Sequence, residues 1–181
     1  MRELVGRHNE VHILQKAIKS NRPELIVVHG RRRVGKTFLI RSVYRDHMIF
    51  EFSGIKNAPI NQQLKNFINR LSRAPKSPPQ DWIDGFELLI QQINRSRLKK
   101  KKVIFIDEFP WLDTHKSNFL SAFDNFWNRF ASNREDLVVV VCGSAASYMI
   151  NKVIKNKGGL HNRLTHQVQL TPFNLHETEL L

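Results

Sequence analysis

The feature that most constrains this chain is the run GRRRVGKT at residues 30–37, which fits the pattern GxxxxGK[ST] at every fixed position through Gly30, Gly35, Lys36 and Thr37. It follows ELIVVHG, a short and nearly continuous apolar run of the kind seen in a parallel strand covered on both faces. It leads into KTFLIRSVYRDH, which reads as a helix. In that setting the two glycines allow torsions closed to other residues, so successive N–H groups can curl around an oxyanion. The helix start adds its positive dipole end. Lys36 offers a mobile charge to the β and γ oxygens of a nucleoside triphosphate, and the Thr37 hydroxyl is a ligand for Mg2+. The candidate nucleotide-binding set here is Gly30, Arg31, Arg32, Arg33, Val34, Gly35, Lys36, Thr37 and Phe38. Two readings of the three arginines stay open: one of them reaches a phosphate or a nucleic acid, or all face solvent or pair with acids.

A second group of candidates lies where other apolar runs end. Residues 101–108, KKVIFIDE, read as a strand that delivers Asp107 and Glu108 to the same edge as the phosphate loop. Mg2+ prefers hard oxygen ligands and keeps much of its water, so Asp107 is expected to hold it through coordinated water. Glu108 is placed to polarise an attacking water as a general base. Residues 136–145, DLVVVVCGSA, read as another strand, after which Ser144 is a candidate partner for the γ-phosphate or the lytic water, with Ser147 a lesser one. Arg163 follows Gly158 and Gly159 and precedes the last apolar run. Its guanidinium either serves a nucleotide, in the same chain or on an adjacent subunit, or is a solvated surface group. His161 and His166 are given no chemical task.

Apolar periodicity supplies the rest of the organisation. A helix is expected over residues 9–20, with Val11, Leu14, Ala17 and Ile18 on one face and Pro23 beyond its end. A strand at 48–54, a helix within 57–74, an exposed loop at 74–81 and a helix from residue 84 follow. Phe119, Leu120, Phe123, Phe126, Trp127 and Phe130 fall at helical spacing and read as core. A fifth strand is expected within 166–173. Alternating strands and helices predict a three-layer α/β domain with a mostly parallel sheet, whose right-handed crossovers bring the strand ends to one edge. One domain over residues 1–174 is expected, with 175–181 beginning a further amphipathic helix; no internal repeat is present.

Composition limits the alternatives. With 41% hydrophobic and 25% charged residues the chain lacks the signature of disorder. Its net charge of +13 should attract polyanions such as nucleic acid or anionic lipid heads. Lys99 to Lys102, just ahead of a strand, read as a solvated loop with nucleic-acid binding as the alternative. Cys142, the sole cysteine, reads as a small buried hydrophobe, and no disulfide can form within one chain. The amino terminus has no apolar signal core, and no stretch reaches the roughly 20 apolar residues of a membrane span. A reducing cytoplasm fits best.

Taken together, LVGRHNEVHIL, GRRRVGKT, VIFIDEFPWL, VVCGSAASYM and LTPFNLHETEL resemble the archaeal-type ATPase group of the AAA+/STAND superfamily. The resemblance implies a P-loop NTPase core with a five-stranded parallel sheet in the order 5-1-4-3-2. It implies ATP as the nucleotide, with Val5, Gly6, Arg7 and Glu10 forming a box near the adenine. It makes Asp107 and Glu108, followed by Phe109, Pro110 and Trp111, an extended Walker B segment, puts Ser144 at the sensor 1 position, and puts Arg163 where such ATPases often carry an arginine finger, with the homo-oligomer that this entails. Relatives continue beyond a Pro-Phe element, here Pro172 and Phe173, into a helical lid, a winged-helix region and often a nuclease-like domain, so a chain cut short before the lid is expected. Two functions are therefore weighed: an ATPase whose hydrolysis drives a conformational switch, and a non-hydrolysing nucleotide-dependent module that binds DNA or protein. Phosphoryl transfer to a small molecule is disfavoured, because a glutamate after the Walker B aspartate favours activated water.

Overall fold

The computed structural model describes residues 6–155 and 161–173. Along the chain run α1 (His8–Lys19), β1 (Glu24–Gly30), α2 (Lys36–Tyr44), β2 (Met48–Ser53), α3 (Ile60–Ile68), α4 (Trp82–Arg95), β3 (Lys102–Asp107), α5 (Phe119–Arg129), β4 (Leu137–Gly143) and β5 (His166–Leu170). A helical turn at Ala146–Tyr148 continues into a π-helical segment at Met149–Ile154 before β5. The five strands form one parallel sheet in the order β2-β3-β4-β1-β5, which read from its other edge is the expected 5-1-4-3-2. β1 lies between β4 and β5, pairing Ile26 with Val140 on one side and with His166 on the other.

The three inner strands are buried along their whole length, which is why their sequences are nearly continuous apolar runs, with polar Glu24, His29, Lys102 and Asp107 only near the strand ends. Alternation along β1 sends Leu25 and Val27 to one face and Ile26 and Val28 to the other. The first face is covered by α3, α4 and α5, whose aromatic rings interlock: Trp82 meets Phe119 edge-on at 4.9 Å, and Phe86 stacks on Phe126 at 5.0 Å. The predicted stripe on α5 belongs to this layer, with Phe119, Phe123, Phe126 and Trp127 buried and Leu120 and Phe130 packed against them. The second face is covered by α1 and α2, where buried Tyr44 donates its hydroxyl proton to the Leu14 carbonyl at 2.8 Å.

Three local expectations change. The helix expected within 57–74 stops at Ile68, because Arg70 and Leu71 turn back onto the carbonyls of Phe67 and Ile68 and the Ser72 N–H donates to the Gln92 side chain at 2.7 Å. α4 begins two residues early, at Trp82, because the Asp81 carboxylate accepts from the Asp84 N–H at 2.9 Å and caps the helix. Lys99 to Lys102 do not form one solvated loop. The Lys101 ammonium donates to the Ser20 hydroxyl at 2.7 Å and to the carbonyls of Ala17, Ser20 and Arg22, closing the end of α1. Buried Lys102 pairs with Asp136 at 2.6 Å. Lys99 and Lys100 remain exposed.

Candidate nucleotide site

All strands run the same way, so Gly30, Ser53, Asp107, Gly143 and Leu170 end on one edge. The loop that leaves β1 there is shaped by its glycines. Gly30 has φ 152°, and a Cβ on it would stand 2.1 Å from the Leu170 carbonyl oxygen, so β1 and β5 meet through a missing side chain. Gly35, with φ 88°, turns the chain into α2. Arg33 also takes a left-handed torsion, φ 66°, at a cost of about 1–2 kcal/mol for a residue with a Cβ. The Lys36 ammonium bends back over this loop and donates to the carbonyls of Gly30 at 3.0 Å and Arg31 at 2.8 Å.

The Thr37 hydroxyl donates to Asp107 Oδ2 at 2.6 Å, joining the start of α2 to the end of β3. Asp107 Oδ1 accepts the Glu108 N–H at 2.9 Å, which fixes the carboxylate plane. Two hard oxygen ligands from different elements thus meet beside the phosphate loop, a donor set that fits Mg2+ sharing phosphate and water oxygens. Glu108 is left-handed, with φ 47° and ψ 43°, and its carboxylate reaches the next strand, where the Ser144 hydroxyl donates at 3.0 Å to Oε2. Sequence-predicted Lys36, Thr37, Asp107, Glu108 and Ser144 are therefore brought together; Ser147 is exposed.

Gly6 and Arg7 both have positive φ, 67° and 59°, and turn the chain into α1. The buried Arg7 guanidinium donates to the Thr171 carbonyl at 2.6 Å and the Val34 carbonyl at 3.4 Å, approaches Glu10 at 3.6 Å and lies 4.4 Å from the centre of the Phe173 ring. Arg31, Arg32 and Arg33 are exposed, and Arg32 lies over the ring of Trp111 at 5.4 Å. Phe38, on the first turn of α2, is 45% exposed. Val5, the pair Gly158 and Gly159, and residues 175–181 lie outside the described residues.

Arg163 is the exception. The residues just before β5 sit at the other end of the sheet: the Thr165 N–H donates to the Leu25 carbonyl, at the start of β1, and Arg163 pairs with Asp124 at 2.6 Å. The fold thus corrects the same-chain reading of Arg163, since the length of β1 and β5 separates it from the chain's own phosphate loop.

Sequence reasoning missed two neighbours of the loop. His29 is buried one residue before Gly30, with Nε2 at 2.9 Å from the Gln167 amide nitrogen and Nδ1 without a partner among the described residues. Burial first, then the Lys36 charge, lower its pKa. Cys142, called buried from its sequence, proves to adjoin the Mg2+ candidates: burial first, then the negative Asp107, push its thiol well above the ordinary value, so it is an inert protonated group. Spacing carried no signal for either contact.

A parallel sheet in this order, with GxxxxGKT at the exit of a central strand, defines a P-loop NTPase fold. Within that class, the chain belongs to the family of ATPase domains found predominantly in Archaea, whose profile matches residues 4–181. It is 31% identical over 173 residues to an uncharacterized protein of Methanocaldococcus jannaschii, an alignment covering 93% of this chain and 36% of that protein. The fold is similar to that of the Walker-type ATPase of Pyrococcus abyssi, with TM-score 0.68 and 16% identity over 96% of this chain and 55% of the other. It is also similar to a chain of the Drosophila ORC bound to DNA, with TM-score 0.65 and 17% identity over 96% of this chain and 45% of the other. The chain therefore spans about a third to a half of the length of these proteins. Among the described residues no helix is long and apolar enough to cross a membrane.

Proposed function

We propose that this domain binds Mg-ATP, hydrolyses it and uses the cycle as a conformational switch. The observation that carries this reading is the meeting, on one sheet edge, of Thr37 with Asp107 and of Glu108 with Ser144 beside the Lys36 loop. In this reading Lys36 leaves its own loop carbonyls for the β and γ oxygens, and the amides of residues 30–37 surround the phosphates. Thr37 and Asp107 would hold Mg2+, whose charge would offset that of the phosphates. Glu108, released from Ser144, accepts a proton from the water that attacks the γ-phosphorus as the β–γ anhydride bond breaks and ADP leaves, while Ser144 turns to the γ-phosphate. In the same reading the box containing Gly6, Arg7 and Glu10 serves the adenine, Phe38 on the first turn of α2 adds to nucleotide binding, and Arg163 serves the site of a second copy rather than its own.

The test is ATP affinity and turnover of the chain beside two variants. Lys36→Ala is expected to abolish measurable binding. Glu108→Gln is expected to retain binding and lower turnover by about 100-fold or more. Turnover unchanged in Glu108→Gln would sink the hydrolytic reading. The second reading, a nucleotide-dependent DNA-binding module without hydrolysis, draws on the +13 charge and the likeness to a chain of a DNA-bound ORC; it is favoured if the parent and Glu108→Gln bind ATP and neither turns it over.

A further inference from the structure

The positive charge is unevenly placed. Residues 56–80 contain no Asp or Glu and five Lys or Arg, and residues 88–106 contain no Asp or Glu and six Lys or Arg. The fold packs these two acid-free stretches against each other. The Ser72 N–H donates to Gln92, the Gln92 amide donates to the Ile49 carbonyl at the start of β2, and Arg73 and Arg95 line the same shallow groove. Arg70, Arg73 and Lys76 stand exposed on one side of this corner. Arg95, Arg97, Lys99 and Lys100 stand exposed on the other, and none of the seven makes an ion pair among the described residues.

Of the two acids on the adjoining connection, Glu135 and Asp136, the second is already taken. Hydrogen bonds from Arg134 hold its carboxyl well below the usual range against the opposing effect of burial, and Lys102 adds to this. Arg134 in turn donates to Asn94 on α4 at 2.7 Å, leaving Glu135 as the exposed carboxylate of that connection. α4 itself is polarised: Asp81, Asp84 and Glu87 lie at its beginning and the cations at its end. A cation such as Arg95 at a helix C-terminus complements the dipole. That accounts for one charge of the seven.

We propose that this α3/α4 corner is a docking surface for the sugar-phosphate backbone of a duplex nucleic acid. It is separate from the nucleotide site, because α4 ends at the start of β3, on the sheet edge opposite Lys36. Four of the cations are arginines, whose planar forks suit phosphate oxygens, and the amides and hydroxyls of Asn69, Gln91 and Ser96 stand among them as further donors to phosphate and sugar. Among the described residues the exposed large hydrophobics are Phe38 and Ile83, neither of which lies at this corner. The corner therefore lacks both the apolar wedge that seats a protein in a membrane and the exposed rings on which single-stranded bases stack.

The test measures binding of a labelled 30-base-pair duplex DNA over a salt series, using the whole chain and the variant Arg70→Ala, Arg73→Ala, Arg95→Ala, Arg97→Ala. Loss of four phosphate contacts should reduce the slope of log affinity against log salt by about 3 to 4 and weaken binding at least tenfold near 0.1 M salt. Far-UV circular dichroism and ATP affinity of the variant should match the parent, which separates this surface from the nucleotide site. Lys36→Ala should leave the salt slope intact, so failure here and failure of the ATPase reading are distinguishable. The proposal is overturned if the parent binds no duplex, if the fourfold variant binds it equally well, or if vesicles of anionic lipid are bound through these arginines and duplex DNA is not.

Discussion

Gly30 leaves no room for even a methyl group. A Cβ there would stand 2.1 Å from a backbone oxygen of β5, and backbone within a sheet cannot step aside as a flexible side chain would. Gly30→Ala is expected to cost about 2–4 kcal/mol, from overpacking and the left-handed torsion together, measured as a lowered urea midpoint; unchanged stability would mean that the strands can part at this point. The residues of the phosphate loop were readable because the chemistry fixes their spacing: two glycines, one lysine and one threonine admit few substitutes. Asp107 and Glu108 were readable because acids ending an unbroken apolar strand stand at a sheet edge. His29 and Gln167 were not, since their contact joins residues far apart in sequence and has no periodic signature. Arg163 was visible as a residue, but only the pairing of β5 with β1 reveals which edge it occupies.

Among the elements, α4 carries the sharpest expectations. Its first turn is closed by Asp81, and Asp81→Ala should cost about 1 kcal/mol. Phe86, stacked on Phe126 and touching Trp82 and Phe119, holds α4 to α5; Phe86→Ala should cost about 3–5 kcal/mol. A loss below 1 kcal/mol for Phe86, read from denaturant unfolding, would show that this aromatic layer closes up around the gap. The strands were legible from their apolar runs, and the sheet order followed from the resemblance rather than from spacing. Helix ends were less legible. α3 stops where Gln92, a residue 20 positions on, captures the Ser72 amide, and Lys101 and Lys102 looked like a solvated run because their acceptors at the end of α1 and at Asp136 are distant in sequence.

For the molecule as a whole, one buried and one half-buried histidine predict the response to acid. His29 and His166 both have folded pKa values below the ordinary 6.5, each chiefly through burial, with Lys36 adding to the effect at His29 and Glu24 opposing it at His166. Their neutral forms are favoured in the fold, so the stability they contribute is complete above pH 6.5 and is lost as pH falls through the folded values. Urea unfolding at pH 7.5 and 5.5 should show lower stability at the acid value, and His29→Gln with His166→Gln should narrow the gap; an undiminished gap would place the effect on other groups. A last consequence concerns Arg7. One side chain grips both the backbone leaving the final strand, at Thr171, and the backbone of the phosphate loop, at Val34, so these two stretches are yoked like the ends of a short lever.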